Sequence, residues 1–150
     1  MRLVRTDSHN IDFKKLVEEL DAYLAITDGE EHEFYDQFNK LNHIKHVVLC
    51  YYRDSILAGC GAIKEYDSQT VEVKRMYTVT GFRNMGVASS ILKEIEQWTK
   101  ELSYNRCILE TGTRQLEAIC LYKSNGYQII DNYEPYRDAL NSLCFEKRIS

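Results

Sequence analysis

The stretch Thr70-Val71-Glu72-Val73-Lys74-Arg75-Met76-Tyr77-Thr78 leads through a turn, Arg83-Asn84-Met85-Gly86-Val87-Ala88, into a segment that ends near Leu102. Val87, Ile91, Ile95, Trp98 and Leu102 recur at helical spacing, so a helix begins at about Gly86. The first N–H groups of a helix have no internal partner and carry the positive end of its dipole. Gly86 lets a ligand come close to the backbone, and small Ala88 and Ser89 keep the mouth open. A pyrophosphate fits such a cradle. The Arg-x-x-Gly-x-Ala pattern is short, and its weight comes from lying after a strand and before a helix.

A second segment, Leu109-Glu110-Thr111-Gly112-Thr113-Arg114-Gln115 through Ala118, Tyr122, Asn125 and Gly126 to Tyr127, reads as a strand end, a loop, a short helix and a new strand. The two segments in this order resemble the GNAT superfamily of N-acetyltransferases. The first is similar to its Gln/Arg-x-x-Gly-x-Gly/Ala motif for the coenzyme A pyrophosphate. The second is similar to its Ala-x-x-x-Tyr helix followed by Gly and an aromatic residue. Lys74-Arg75-Met76, Glu110 to Gln115 and Cys144-Phe145-Glu146-Lys147 resemble a bacterial branch of that superfamily. The resemblance is tight from about Val71 to Tyr127 and loose before Ala58.

Bulk properties are compatible with this. The 150 residues are enough for one ordinary domain, 1–150, that buries a core without staples. A hydrophobic content of 44% with 28% charged residues is that of a globular chain. A net charge of -4 argues against nucleic acid or an anionic membrane surface as a main partner. No stretch is long and apolar enough to span a membrane, and no apolar core follows Arg2 and Arg5, so a cytoplasmic location without a signal peptide is expected. Cys50, Cys60, Cys107, Cys120 and Cys144 each lie in apolar or strand-like runs without a Cys-x-x-Cys pair, the pattern of buried reduced thiols. His43 and His46 lack thiolate or carboxylate partners at ligand spacing and read as solvated loop residues, so no metal is expected.

Along the chain, Arg2 to Thr6 reads as a strand, and Ser8 or Asn10 can cap a helix with Phe13, Leu16, Val17, Leu20 and Leu24 on one face. A second helix should carry Phe34, Phe38 and Leu41. His46 to Arg53 and Ser55 to Tyr66 read as a hairpin turning at Arg53-Asp54, its second strand loosened by Gly59 and Gly61. Thr70 to Thr80, Arg106 to Thr111, Tyr127 to Asp131 and Ser142 to Ile149 are the remaining strands. The strand–helix–strand unit from Thr70 to Thr111 demands a parallel crossover within otherwise antiparallel neighbours. The expected fold is α/β (α+β): a mixed, mostly antiparallel sheet of about seven strands with helices on both faces. The resemblance adds a GNAT-like splay of the parallel pair at strands 4 and 5. Strict alternation would put Arg75 on the same face as Val71, Val73 and Tyr77, and a bulge near Arg75 removes that conflict.

The resemblance implies an acetyl-CoA co-substrate held by Arg83, Asn84, Met85, Gly86, Val87, Ala88 and Ser89. Backbone groups of Met76, Tyr77 and Thr78 would face the thioester and stabilise its oxyanion. Gln115 stands where many members place a pantetheine-binding asparagine. Tyr122 matches the tyrosine that protonates the departing thiolate, a task that suits a phenol whose ordinary pKa of roughly 10 lies near that of a thiol. Glu72 lies eleven positions before Arg83, the offset of the general base in the histone-acetylating branch. It reads equally as a structural partner of Lys74 or Arg75.

The function expected is transfer of an acetyl group from acetyl-CoA to an amine of a small molecule or peptide by direct attack. The alternative is a catalytically inert acyl-CoA-binding sensor or interaction module. Retention of both Glu72 and Tyr122 favours the enzyme. Ala25 to Asn42, acidic at Asp28, Glu30, Glu31, Glu33 and Asp36, and Asn132 to Leu143, with Tyr133, Tyr136 and Arg137, should rim the acceptor pocket. The acidic run suggests a cationic acceptor with more than one amine. Whether the chain pairs as a homodimer is left open.

Overall fold

The structure is a computed structural model that describes residues 1–29 and 44–149. The helix expected around Phe34, Phe38 and Leu41, the acidic residues 30 to 36 and His43 lie outside the described residues. The elements run β1 (Arg2–Thr6), α1 (Ile11–Asp28), β2 (His46–Tyr52), β3 (Ile56–Asp67), β4 (Thr70–Thr78), α2 (Val87–Glu101), β5 (Arg106–Gly112), α3 (Leu116–Ser124), β6 (Gln128–Ile130) and β7 (Ser142–Arg148). They form one seven-stranded sheet in the order β1-β2-β3-β4-β5-β7-β6. Its neighbouring pairs are antiparallel except β4 and β5, which are parallel and joined through α2.

Period-two patterning divides the core. Val48, Cys50, Ala58, Ile63, Val71 and Val73 pack with Val87, Ile91, Leu92 and Ile95 of α2 on one face. Val47, Leu49, Cys60 and Ala62 pack with Phe13, Leu16 and Val17 of α1 on the other. Of the two candidate caps, Asn10 is the one used, its side-chain oxygen accepting the Phe13 N–H at 3.0 Å. Arg53 and Asp54 both have positive φ at the centre of a turn in which the Ser55 N–H donates to the Tyr52 carbonyl at 3.3 Å.

Several expectations need correction. Gly59 and Gly61 do more than loosen β3, whose ladders shift register beside both; they also let α2 lie against it. A Cβ on Gly59 would sit 2.8 Å from the Tyr77 carbonyl oxygen and 2.8 Å from Val87 Cγ1. His46 is the first residue of β2 rather than a solvated loop residue. Its ring meets Trp98 edge-on at 4.8 Å, and burial followed by the charge of Lys45 lowers its pKa. Cys50, Cys60, Cys107 and Cys144 are buried free thiols, but Cys120, on α3, is exposed.

The bulge in β4 is present. Cys60 pairs with Tyr77 and Ala62 with Lys74, so Arg75 and Met76 together oppose Gly61. Arg75 takes φ 58°, which any side chain with a Cβ adopts at a cost. Its effect is to sort the charges. Met76 turns toward α2, while Arg75 turns toward α1 and pairs with Asp21 at 2.6 Å, on the sheet face that holds Tyr77 against the α1 cluster.

Gly59→Ala should destabilise the fold by about 1–3 kcal/mol, since overpacking here meets a backbone oxygen that cannot swing aside. Urea unfolding followed by circular dichroism measures this. An unchanged midpoint would mean that α2 is free to shift outward.

Candidate active site

The parallel pairing of β4 with β5 covers only Thr70–Glu72 against Arg106–Ile108. Beyond Glu72 the two strands diverge, and the facing backbone edges have no ladder partner there among the described residues. A cleft of about 840 Å³ opens at this divergence. Met76, Tyr77 and Thr78 form one wall, Arg83, Asn84 and Gly86 to Ser89 the mouth, and the segment from Arg114 to Ser124 much of the other wall.

The mouth suits a phosphate. No side chain caps the N-terminus of α2, in contrast to α1, so its first N–H groups are free of a capping partner. Gly86 has φ 80°, and a Cβ placed on it would meet nothing within 4 Å, so an anion can approach the backbone closely. Asn125 donates from Nδ2 to Ser89 Oγ at 3.1 Å and to the Leu121 carbonyl at 2.9 Å, tying the end of α3 to the start of α2. Arg83 lies over the Tyr23 ring and 4.0 Å from the exposed Glu117 carboxylate. Met85 is 43% exposed and does not border the cleft, unlike the other residues expected there, since the turn around Asn84 and Gly86 points it outward.

Behind the cleft lies a smaller cavity of about 80 Å³, bordered by Leu20 and Leu24 of α1, the Glu72–Met76 stretch, Glu110, Thr111, Gly112 and Tyr136. Four residues border both spaces: Leu20, Met76, Gln115 and Tyr122. The sequence candidates Tyr122, Gln115 and Met76 therefore meet at one junction.

Tyr122 is buried, its ring 6.0 Å from Tyr127 and 5.8 Å from Phe145. Burial, and then the nearby Glu110 carboxylate, raise its pKa well above the ordinary phenol value. Burial therefore favours the neutral, protonated phenol at this junction.

Glu72 is 6% exposed. Tyr133 donates its hydroxyl to Glu72 Oε2 at 2.7 Å, and Lys74 Nζ lies 3.9 Å from Oε1. Burial, followed by the Glu72 charge, pushes the Tyr133 phenol well up. Lys74 is lowered by burial, against the opposing pull of Glu72 and Glu110, and donates to Tyr136 Oη at 3.3 Å. Of the expected rim residues, Tyr136 borders the small cavity and Tyr133 supports Glu72. Arg137 is exposed and paired with Glu134 at 3.4 Å.

Glu110 and Arg75 are among the cavity residues that were not singled out by sequence as site residues. Glu110 accepts the Ser142 hydroxyl at 2.7 Å and faces the same space as Tyr122. Its signal was its place at the last residues of a strand, where a parallel pair opens. Arg75 borders the cavity through the bulge. Cys144 is buried with its thiol pushed up to about 11 by burial, which leaves little thiolate for nucleophilic work. Among the described residues no group of three or more His, Cys, Asp or Glu side chains could hold a metal ion, and no helix is long and apolar enough to cross a membrane.

The acetyltransferase (GNAT) family pattern matches residues 13–127. An uncharacterised N-acetyltransferase of Bacillus subtilis, YsnE, is 36% identical over 95 residues; the match spans 62% of this chain and 63% of that protein. A Klebsiella pneumoniae structure assigned to the acyl-CoA N-acyltransferases superposes with a TM-score of 0.81 at 25% identity, covering 99% of this chain and 98% of its own. A GNAT family acetyltransferase from Elizabethkingia anophelis, solved with acetyl-CoA bound, superposes with a TM-score of 0.70 at 19% identity over 97% of each chain. With a seven-stranded sheet that opens at β4 and β5 and a family pattern that spans both diagnostic segments, the chain belongs to the GNAT family of acetyltransferases.

Proposed function

We propose that residues 1–150 form a single N-acetyltransferase domain that moves the acetyl group of acetyl-CoA onto an amine of a small molecule or peptide by direct attack. The observation that carries this reading is the meeting of a large cleft and a charged cavity at Tyr122. Acetyl-CoA, when bound, supplies the thioester. The α2 N-terminus with Arg83, Asn84 and Gly86 to Ser89 holds the pyrophosphate, and the open edges of β4 and β5 accept the pantetheine arm as an added strand, with Gln115 beside it. Backbone N–H groups at Met76, Tyr77 and Thr78 take up charge on the thioester oxygen. Attack forms the C–N bond and breaks the C–S bond. Tyr122 donates its hydrogen bond, and then its proton, to the leaving sulfur.

A carboxylate must take the proton from the amine, directly or through water. Glu72 fills that role in the first reading. Glu110 is a second reading, favoured by its place on the wall of the same cavity as Tyr122 and by the effect of its charge on that phenol.

Saturating coenzyme A should raise the melting temperature, by the equivalent of about 2.7 kcal/mol at a hundredfold excess over Kd. Gly86→Asp should abolish the shift by placing a carboxylate at the phosphate site, whereas Gly86→Asn, equally strained but uncharged, should keep part of it. If the wild type shows no shift, the cofactor assignment fails.

Tyr122→Phe should lower kcat by about tenfold or more while sparing coenzyme A binding, because general acid catalysis contributes roughly 10²–10⁴-fold and water replaces part of it. Of Glu72→Gln and Glu110→Gln, the variant of the true base should lose the acidic limb of the pH–rate profile. Wild-type turnover by Tyr122→Phe would make the tyrosine a packing residue. Coenzyme A binding without transfer to any amine would favour the sensor.

A further inference from the structure

We infer that the acceptor is a zwitterion, an amine that also carries a carboxylate, and that Arg75 receives the carboxylate. This rests on the small cavity being the acceptor site. Arg75 is 6% exposed, and only its Nη2 is engaged, by Asp21 at 2.6 Å. Its Nε and Nη1 have no hydrogen-bond partner among the described residues. A buried guanidinium with two unpaired donors is costly, and natural proteins keep such a debt at places where a ligand settles it.

The backbone supports the same conclusion independently. Arg75 is turned toward α1 and the cavity by the β4 bulge, in a left-handed conformation that disfavours any residue with a Cβ. A register without the bulge would place residue 75 against the apolar face of α2. The strain therefore has one visible product, the placing of Arg75 beside the cavity. Guanidinium geometry matches a carboxylate better than any other common group. Nη1 can donate to a carboxylate oxygen while Asp21 retains Nη2. The two unpaired nitrogens are shielded from bulk water, so the side chain turns a short way into the cavity on binding, with the exposed Asp21 carboxylate following.

Charge on the remaining walls completes the match. Glu72 and Glu110 bring negative charge to the cavity wall, and Lys74 and Arg75 positive charge. A polyamine would bring its second cation against Lys74 and Arg75. The acidic run that suggested such a substrate lies, from residue 30 to 36, outside the described residues.

The test uses matched pairs: α- and β-amino acids against their primary amides and their decarboxylated amines, each assayed with acetyl-CoA. The acid member should be preferred by tenfold or more, expressed mainly in KM. Arg75→Met should raise KM for the acid by a similar factor and leave the amide and the KM for acetyl-CoA unchanged, while Arg75→Lys should recover part of the preference. Because a buried strand position is being changed, the wild type is also examined without turnover. With coenzyme A saturating, the amino acid should add a further thermal shift that its amide does not. Acids and amides acetylated or bound alike would overturn the zwitterion proposal and leave the acetyltransferase reading standing. Absence of any acid-dependent shift in the coenzyme A complex would also overturn the proposal. Absence of the coenzyme A shift itself would instead remove the acetyltransferase reading.

Discussion

Everything in this molecule that can bind depends on how briefly β4 and β5 stay paired. Three residue pairs hold them side by side, and after Glu72 and Ile108 each strand has only its outer neighbour, β3 or β7. The separation leaves backbone donors and acceptors open in the middle of a sheet, where they would otherwise be bonded. Such an opening is stable only if both flanks are firmly anchored. On one side β3 binds β4, and Gly59 and Gly61 draw α2 tightly down. On the other, β5 pairs with β7 along its whole length, from Arg106 opposite Arg148 to Gly112 opposite Ser142.

The bulge is the second half of the same device. One extra residue in β4 lets Met76 stay in the apolar layer under α2 while Lys74 and Arg75 approach α1. The apolar face and the charged cavity are thus served by consecutive residues of one strand. Without the extra residue, a strand of this composition would force either Arg75 into the core or Tyr77 out of it.

Burial then sets the chemistry. Tyr122, Tyr133 and Lys74 are all pushed toward their neutral forms by loss of water, with neighbouring charges adding to or opposing the shift. Glu72 is held between a phenol and an ammonium at the edge of the cavity. A ligand entering this space would meet several oriented polar groups of low exposure, a condition under which charge stabilisation is strong.

The sequence by itself determined the elements and their order, because apolar spacing of 2 or 3.6 residues and the turn residues at Arg53-Asp54 and Gly86 are local signals. It also marked the turn before α2 and Tyr122, both of which border the large cleft, since both belong to contiguous motifs in which backbone conformation and residue type are linked. The bulge at Arg75 was legible as a conflict between alternation and charge, though not the direction in which Arg75 would turn. Only the tertiary structure decided that Glu110 faces the same cavity as Glu72, and that Tyr133 and Tyr136, about sixty residues from β4, support the charges there. Only it showed that Met85 points away from the cleft and that Gly59 and Gly61 are contact points for a helix. These facts depend on distances between segments remote in the chain, and such distances are set by packing, which no local pattern of residues encodes.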